Sequence, residues 1–184
     1  MGLHEDLKNC RIVIRDVETG DECPVGTSGE VLVQGFNLMI GYYKVPIDQQ
    51  SIDEEGWLRT GDLGFMDEEG YLHLSGRLKE LIIRGGENIM PGEVEAAISS
   101  LEEIDNVKVV GVPSDFFGEE VCACIKMKSG ASFSEDAVRQ QLSAKLAKFK
   151  IPHHFLVYEE FPMLGTGKID GVTLKKDAIQ RIQK

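Results

Sequence analysis

The spacing of apolar residues changes character once along this 184-residue chain, near residue 76, and that change limits the possible folds more than any other feature. Before it, apolar and polar residues alternate over short runs. Arg11-Ile-Val-Ile-Arg15 and Glu30-Val-Leu-Val-Gln34 repeat with period two, the repeat of a half-buried strand. Glu18-Thr-Gly-Asp21 supplies a turn, and Gly35 closes the second run. Gly64-Phe-Met66, Asp67-Glu-Glu-Gly70 and Tyr71-Leu-His-Leu74 have the form of a hairpin whose loop ends in Gly. No amphipathic helix is evident before residue 90. The first part therefore reads as a small antiparallel β unit.

Beyond residue 76 the periods mix. Leu81-Ile-Ile83 is a short strand running into Gly85-Gly86, and Pro91 suits the first turn of a helix. Val94, Ala97, Ile98 and Leu101 then fall at helical spacing. Val107-Lys-Val-Val110 and Val121-Cys-Ala-Cys-Ile-Lys-Met127 read as strands. Ser134 is placed to cap a helix with Val138, Leu142 and Leu146 on its buried stripe, and a last helix is expected from about Val172. The whole is an α+β fold in two parts, an antiparallel β subdomain followed by a compact α+β domain.

Charge divides at the same place. Residues 1–76 carry 5 Lys/Arg against 15 Asp/Glu, a net of −10, whereas residues 77–184 carry 15 against 16. An acidic first part repels phosphate backbones, so nucleic acid is not an expected partner. No run of 18 apolar residues suggests a membrane span. The opening residues Met1-Gly2-Leu3-His4-Glu5-Asp6 lack the basic and apolar stretches of a secretory leader. Asp6 also stands where a myristoylation motif needs Ser or Thr. Cys10, Cys23, Cys122 and Cys124 form no Cys-x-x-Cys pair and read as structural thiols in a reducing cytoplasm, with Cys122 and Cys124 on one face of a strand. His153-His154 reads as a surface turn rather than a ligand pair.

Two phosphate motifs are excluded. Gly165-Thr-Gly-Lys168 resembles the end of a P-loop, but Pro162 and Ile169 occupy the positions of the first Gly and of the Ser or Thr. A dinucleotide fingerprint fails at Asp170. Three segments remain. Gly56-Trp-Leu-Arg-Thr-Gly-Asp62 sets a carboxylate between glycines, able to accept from vicinal hydroxyls or simply to close a turn. Gly76-Arg-Leu-Lys79 and its continuation to Glu95 place Arg77, Lys79 and Arg84 near a Gly-Gly pair, suited to phosphate or to a solvated strand and tight turn. Gly165-Thr-Gly-Lys-Ile-Asp170 carries a lysine on a glycine-flanked loop, either a deliverable cation or a solvated one.

Together these segments resemble the adenylate-forming superfamily of acyl-CoA synthetases, amino-acid adenylation domains and luciferases. The resemblance rests on Gly29-Glu30, Gly41-Tyr-Tyr43, Trp57-Leu-Arg-Thr-Gly-Asp62, Gly76-Arg-Leu-Lys79, Gly85-Gly-Glu-Asn88, Pro91-Gly-Glu-Val-Glu95 and Gly165-Thr-Gly-Lys168, in the family's order and covering nearly the whole chain from residue 11. The wording from Ile83 to Glu95 looks like acyl-CoA synthetases.

The resemblance implies an AMP-forming acid–thiol ligase. A fatty or aryl acid attacks the α-phosphate of ATP, and CoA then displaces AMP from the acyl-adenylate. Residues 1–77 are expected to be the last β subdomain of a large adenylation domain, and residues 78–184 a mobile C-terminal domain that rotates between the two steps. Carried over by position, Asp62, Arg77 and Thr60 bind the nucleotide, and Lys79 marks the hinge. Lys168 enters the site for adenylation, and Arg84, Gly85, Gly86, Glu87 and Asn88 serve thioester formation. Lys145, Lys148 and Lys150 offer a basic cluster for the phosphates of CoA. Mg2+ is expected with ATP, its ligands mostly outside this chain, and no other metal is expected. The phosphate loop, adenine-stacking aromatic and acid pocket are expected upstream of residue 1, leaving the chain inactive alone. Gly171-Val172 departs from relatives that often carry arginines there and puts the packing of the last helix in question. The alternatives are an adenylation domain that loads a carrier protein, and a non-catalytic module that binds nucleotide or CoA.

Overall fold

Period-two alternation produces strands throughout the first part of the computed structural model, which describes residues 3–4, 9–46 and 51–183. Of the opening residues weighed above, Met1, Gly2, Glu5 and Asp6 lie outside the described ones. The chain divides into two units, Met1–Lys79 and Glu80–Lys184.

The first unit is an antiparallel sheet of β1 (Leu3–His4), β2 (Cys10–Arg15), β3 (Gly29–Gly35), β4 (Leu58–Met66) and β5 (Tyr71–Arg77), in the order β1-β5-β4-β3-β2. Its buried cluster is Ile14, Val31 and Leu72, with Ile12, Val33 and Met66 packed against them. Among the described residues it has no α-helix, as the absence of a 3.6-residue period requires. The Asp67–Gly70 hairpin loop is tied by Asp67, whose carboxylate accepts from the Glu69 and Tyr71 amides and pairs with His73 Nε2 at 2.5 Å. Glu30 is the one charged residue buried among the described ones, at 3% exposure. Arg59 reaches it from β4, donating from Nε and Nη2 to the same Oε2 at 3.0 and 2.5 Å. That hydrogen bonding and the adjacent charge raise the Arg59 pKa above its ordinary value.

The second unit runs β6 (Ile82–Arg84), β7 (Glu87–Ile89), α1 (Pro91–Ser99), β8 (Ile104–Ser114), β9 (Gly118–Met127), α2 (Glu135–Ser143), β10 (His154–Val157) and α3 (Gly171–Ile182). β8 and β9 form a long antiparallel hairpin, and β9 also pairs with β6 and, in parallel, with β10. Helices cover both faces. Val109, Val121, Ala123 and Ile125 pack with Val94, Ile98, Val138 and Leu142 of α1 and α2. Val110, Val112, Cys122 and Cys124 pack with Leu174 and Ala178 of α3. Burial on both faces explains why the two strands read as nearly continuous apolar runs. Cys122 and Cys124 do share a face. Hydrogen bonding to Cys124 and burial push the Cys122 thiol well above its ordinary range, which suits a packing role. Cys10 and Cys23 are only half-buried.

α1 and α2 start where Pro91 and Ser134 predict and α3 one residue before Val172, but α2 ends at Ser143, so Leu146 of the expected stripe lies beyond it. Pro91 opens α1, Ser134 accepts from the Ala137 amide, and Asp170 accepts from the Val172 and Thr173 amides. The Gly171-Val172 departure is therefore absorbed by α3, whose Leu174 and Ala178 are fully buried. Three strands escape sequence patterning, β1, β7 and β10. His153-His154, expected as a surface turn, leads into β10: the His153 amide donates to the Val121 carbonyl, and His154 pairs in register with Cys122. No helix among the described residues is long and apolar enough to cross a membrane.

Candidate functional site

In the first unit, Thr60, Asp62 and Arg77 are brought together by an irregularity in β4. Pairing with β3 jumps from Glu30–Leu63 to Leu32–Arg59, so Thr60, Gly61 and Asp62 stand opposite the single Val31. Such a bulge bends the strand and re-aims its side chains. Gly61 takes φ +68°, a conformation that suits glycine. Thr60 Oγ1 fills the broken ladder, donating to the Val31 carbonyl at 2.7 Å and accepting from the Asp62 amide at 3.0 Å. Asp62 lies opposite Arg77 on β5, and the two side chains pair at 2.8 Å between Oδ1 and Nη1. Arg77 Nη1 also donates to the Thr60 carbonyl at 3.4 Å. Lys79 follows in a 3-10 turn, Leu78–Glu80, and its side chain is exposed.

In the second unit, Arg84 to Asn88 form one tight hairpin. Arg84 pairs with Glu87 and Ile83 with Asn88, leaving Gly85-Gly86 as a two-residue turn at φ +59° and +89°. Positive φ at both positions is what a type I′ turn demands. The turn is braced from outside by Phe117, which sits between β8 and β9. Its carbonyl accepts the Gly85 amide at 2.8 Å, and the Arg84 guanidinium lies 4.0 Å from its ring centroid. Phe116 stacks edge-on against Phe117 and is 86% exposed. Sequence reading missed this pair; the available signal was two aromatics in the short turn Asp115-Phe-Phe-Gly118.

Lys168 lies on a different loop, the one that leads into α3. Its loop is itself a small hairpin, closed by bonds between Leu164 and Lys168 and between Asp170 and Pro162, at 2.8 Å each. Ile169 packs into the core beneath α3, and Asp170 caps that helix. The Lys168 side chain is exposed and makes no ion pair among the described residues. The cluster of Lys145, Lys148 and Lys150 is less free than its spacing suggests. Lys150 is held by both Glu93 oxygens at 2.8 and 2.7 Å, and Lys145 bonds Ser100 Oγ at 2.6 Å.

Known proteins share this arrangement of elements. Residues 93–168 match the AMP-binding enzyme C-terminal domain family. The chain is 39% identical over 169 residues to the sulfoacetate–CoA ligase of Cupriavidus necator, an alignment covering 91% of this chain and 33% of that protein. It is 36% identical over 170 residues to the mitochondrial medium-chain acyl-CoA ligase of Bos taurus, covering 92% of this chain and 28% of that one. Among solved structures, ATP-bound MatB from Rhodopseudomonas palustris matches with a TM-score of 0.88 and 36% identity, over 96% of this chain and 35% of that chain. The chain thus spans about a third of the length of these curated relatives. Motif order, family match and fold agree, and the chain belongs to the adenylate-forming, AMP-binding superfamily that includes the acyl-CoA synthetases.

Proposed function

We propose that the chain forms part of an ATP-dependent ligase that joins a fatty or aryl carboxylic acid to CoA through an acyl-adenylate. The observation that carries this reading is Lys168: an exposed cation without an ion pair among the described residues, on a loop anchored at both ends. An ammonium presented in this way can stabilise charge building on the α-phosphate and the attacking carboxylate, by electrostatics and positioning. The carboxylate oxygen attacks the α-phosphorus, the bond to pyrophosphate breaks, and the acyl-adenylate remains. In the second step the CoA thiol sulfur attacks the acyl carbonyl, and AMP leaves with the bonding pair.

Within this reading Asp62 accepts from the ribose hydroxyls. One of its oxygens is held by Arg77 and the bulge fixes its direction. Arg77 and Thr60 complete the nucleotide contact. A single carboxylate already paired with arginine does not build a magnesium site, so the Mg2+ that enters with ATP takes most of its ligands from outside this chain. Lys79 ends the first unit and serves as the hinge about which the second unit rotates between steps. The braced Arg84–Asn88 hairpin then replaces Lys168 beside the acyl group and guides the thiol. The groups that read adenine and acid lie outside the chain, which does not complete the reaction alone. Four unpaired cysteines suit a reducing compartment such as the cytoplasm.

The test is ATP–pyrophosphate exchange in the full-length ligase, against fatty, aryl and amino acids. Exchange with fatty or aryl acids, followed by thioester formation on CoA, is expected. Exchange with amino acids only, or transfer only to a carrier protein, overturns the substrate assignment; silence with folded protein overturns the ligase reading.

A further inference from the structure

Three ligand-bearing side chains that the ligase reading leaves unused converge at the entry of β10. Glu120 lies on β9, its side chain 13% exposed, on the same face as Cys122. His154 Nε2 stands 3.3 Å from Glu120 Oε2 and His153 Nε2 3.9 Å from it, and the three donor groups lie within 4.8 Å of one another. The two imidazole rings meet edge-on, 4.7 Å between centroids. At 3.9 Å His153 makes no hydrogen bond to the carboxylate, so direct pairing leaves one of the two rings unused.

We propose that Glu120, His153 and His154 bind a divalent cation of the zinc class. Two imidazoles and one carboxylate are the donor set of such ions, whereas magnesium and calcium call for more oxygens. Bonds of about 2.0–2.1 Å in tetrahedral array put neighbouring donor atoms roughly 3.3 Å apart. Glu120 and His154 already stand at that separation, and His153 reaches it by side-chain rotation. Three protein ligands leave a fourth position for water, and the 59% exposure of the His153 side chain keeps the site open to solvent.

The backbone beneath the donors is fixed before any ion arrives. The His153 amide is held by the Val121 carbonyl. Arg139 of α2 donates to the Pro152 and His153 carbonyls, at 2.7 Å each, and its guanidinium lies over the Phe155 ring. Its positive charge opposes a cation, but Glu135 pairs with it at 2.8 Å. Ligands held on a rigid frame need little reorganisation to close around a metal. Because β10 runs parallel to β9 and no hairpin joins them, an ion across Glu120 and His154 clamps that pairing at its open end.

The site is independent of the ligase assignment and is tested without turnover. The untagged 184-residue chain, stripped by chelator, is titrated with Zn2+ by calorimetry and with Co2+ by visible absorbance, with Mg2+ as a control. One ion per chain, a Co2+ band of tetrahedral strength and no heat with Mg2+ are expected. His153→Gln, at an exposed position that does not threaten folding, and Glu120→Gln each weaken binding roughly tenfold or more. No binding at millimolar Zn2+, or binding undiminished in both variants, overturns the proposal.

Discussion

Glu30 is buried in a sheet small enough for one misplaced charge to matter, and removing its partner gives a measurable loss. Arg59→Ala leaves the carboxylate, 3% exposed, without the two bonds that its Oε2 accepts at 3.0 and 2.5 Å. An ion pair fully in water is worth about 0–1 kcal/mol, whereas breaking a fully buried one costs about 3–5 kcal/mol. This pair lies between those limits, because the Arg59 side chain keeps 59% of its exposure while Glu30 keeps almost none. The expected loss is about 2 kcal/mol, most of it the desolvation of an unpaired carboxylate. Trp57, the chain's single tryptophan, is buried in the same unit with Arg11 5.2 Å and Arg15 5.8 Å from its ring centroid. Its fluorescence therefore follows unfolding of that unit. With a urea slope of about 1–2 kcal/mol/M, the midpoint falls by roughly 1–2 M. In a double-mutant cycle Glu30→Gln recovers part of the loss in the Arg59→Ala background, with a coupling of about 1 kcal/mol or more. An Arg59→Ala midpoint unchanged, or strictly additive substitutions, would refute the view that Arg59 is what makes the buried carboxylate tolerable.

Other perturbations test separate links. On the proposed ligase reading, Lys168→Ala in the full-length protein slows adenylation by about 10²–10³ and spares transfer from supplied acyl-adenylate to CoA; equal losses in the two half-reactions would remove Lys168 from the first step. Gly86→Ala meets no atom within 4 Å, so its expected loss of about 1–2 kcal/mol is conformational strain at φ +89°. Hydrogen exchange of the Glu87 to Ile89 amides should quicken, and an unaltered rate argues against the strain. For Asp67, the hydrogen bond from His73 and then the Tyr71 amide hold its pKa below the ordinary carboxylate value of about 4. A depressed carboxylate adds stability that is present above the unfolded-state pKa and is lost as pH falls through the folded one. Urea midpoints read at Trp57 should drop more steeply between pH 5 and 3 in the natural chain than in Asp67→Asn, and parallel profiles would dismiss this linkage.

Long, periodic elements were legible in the sequence because the period is a local property. The alternation from Arg11 to Arg15 appears as read, and so does the helical spacing of Val94, Ala97 and Ile98, whereas Leu101 is buried in the turn beyond the end of α1 at Ser99. β7 and β10 were not legible. Glu87-Asn-Ile89 buries only Ile89 and becomes a strand because the Gly85-Gly86 turn folds it onto β6. His154–Val157 pairs with residues about thirty positions earlier, in parallel, and nothing local marks that register. The same limit applies to the candidate site. The glycine-flanked Asp62 and Lys168 could be picked out by residue type, but not the Asp62–Arg77 pair or the Phe117 brace, which exist only once distant strands have met.

The motif residues also divide by physical role. Glu95 accepts from the Val109 amide at 2.9 Å and pairs with Lys108 at 3.1 Å, while Glu80 takes the same ammonium at 3.2 Å. Burial works against that charge, yet the two carboxylates outweigh it and raise the Lys108 pKa. Glu93 ties α1 to Lys150, and Asp170 ties the Lys168 loop to α3. These carboxylates therefore act as tie points, and the Gly85-Gly86 turn and Lys168 are among the groups left exposed. A unit that must present either of two loops to one reacting centre, as the proposed cycle requires, has to move as a rigid piece, because slack at a loop's base would blur its aim. The scaffold charges in the motifs supply that stiffness, which is a physical reason for Pro91-Gly-Glu-Val-Glu95 to follow the hairpin directly: the helix that buries Val94 and Ile98 also fixes the point from which the hairpin projects.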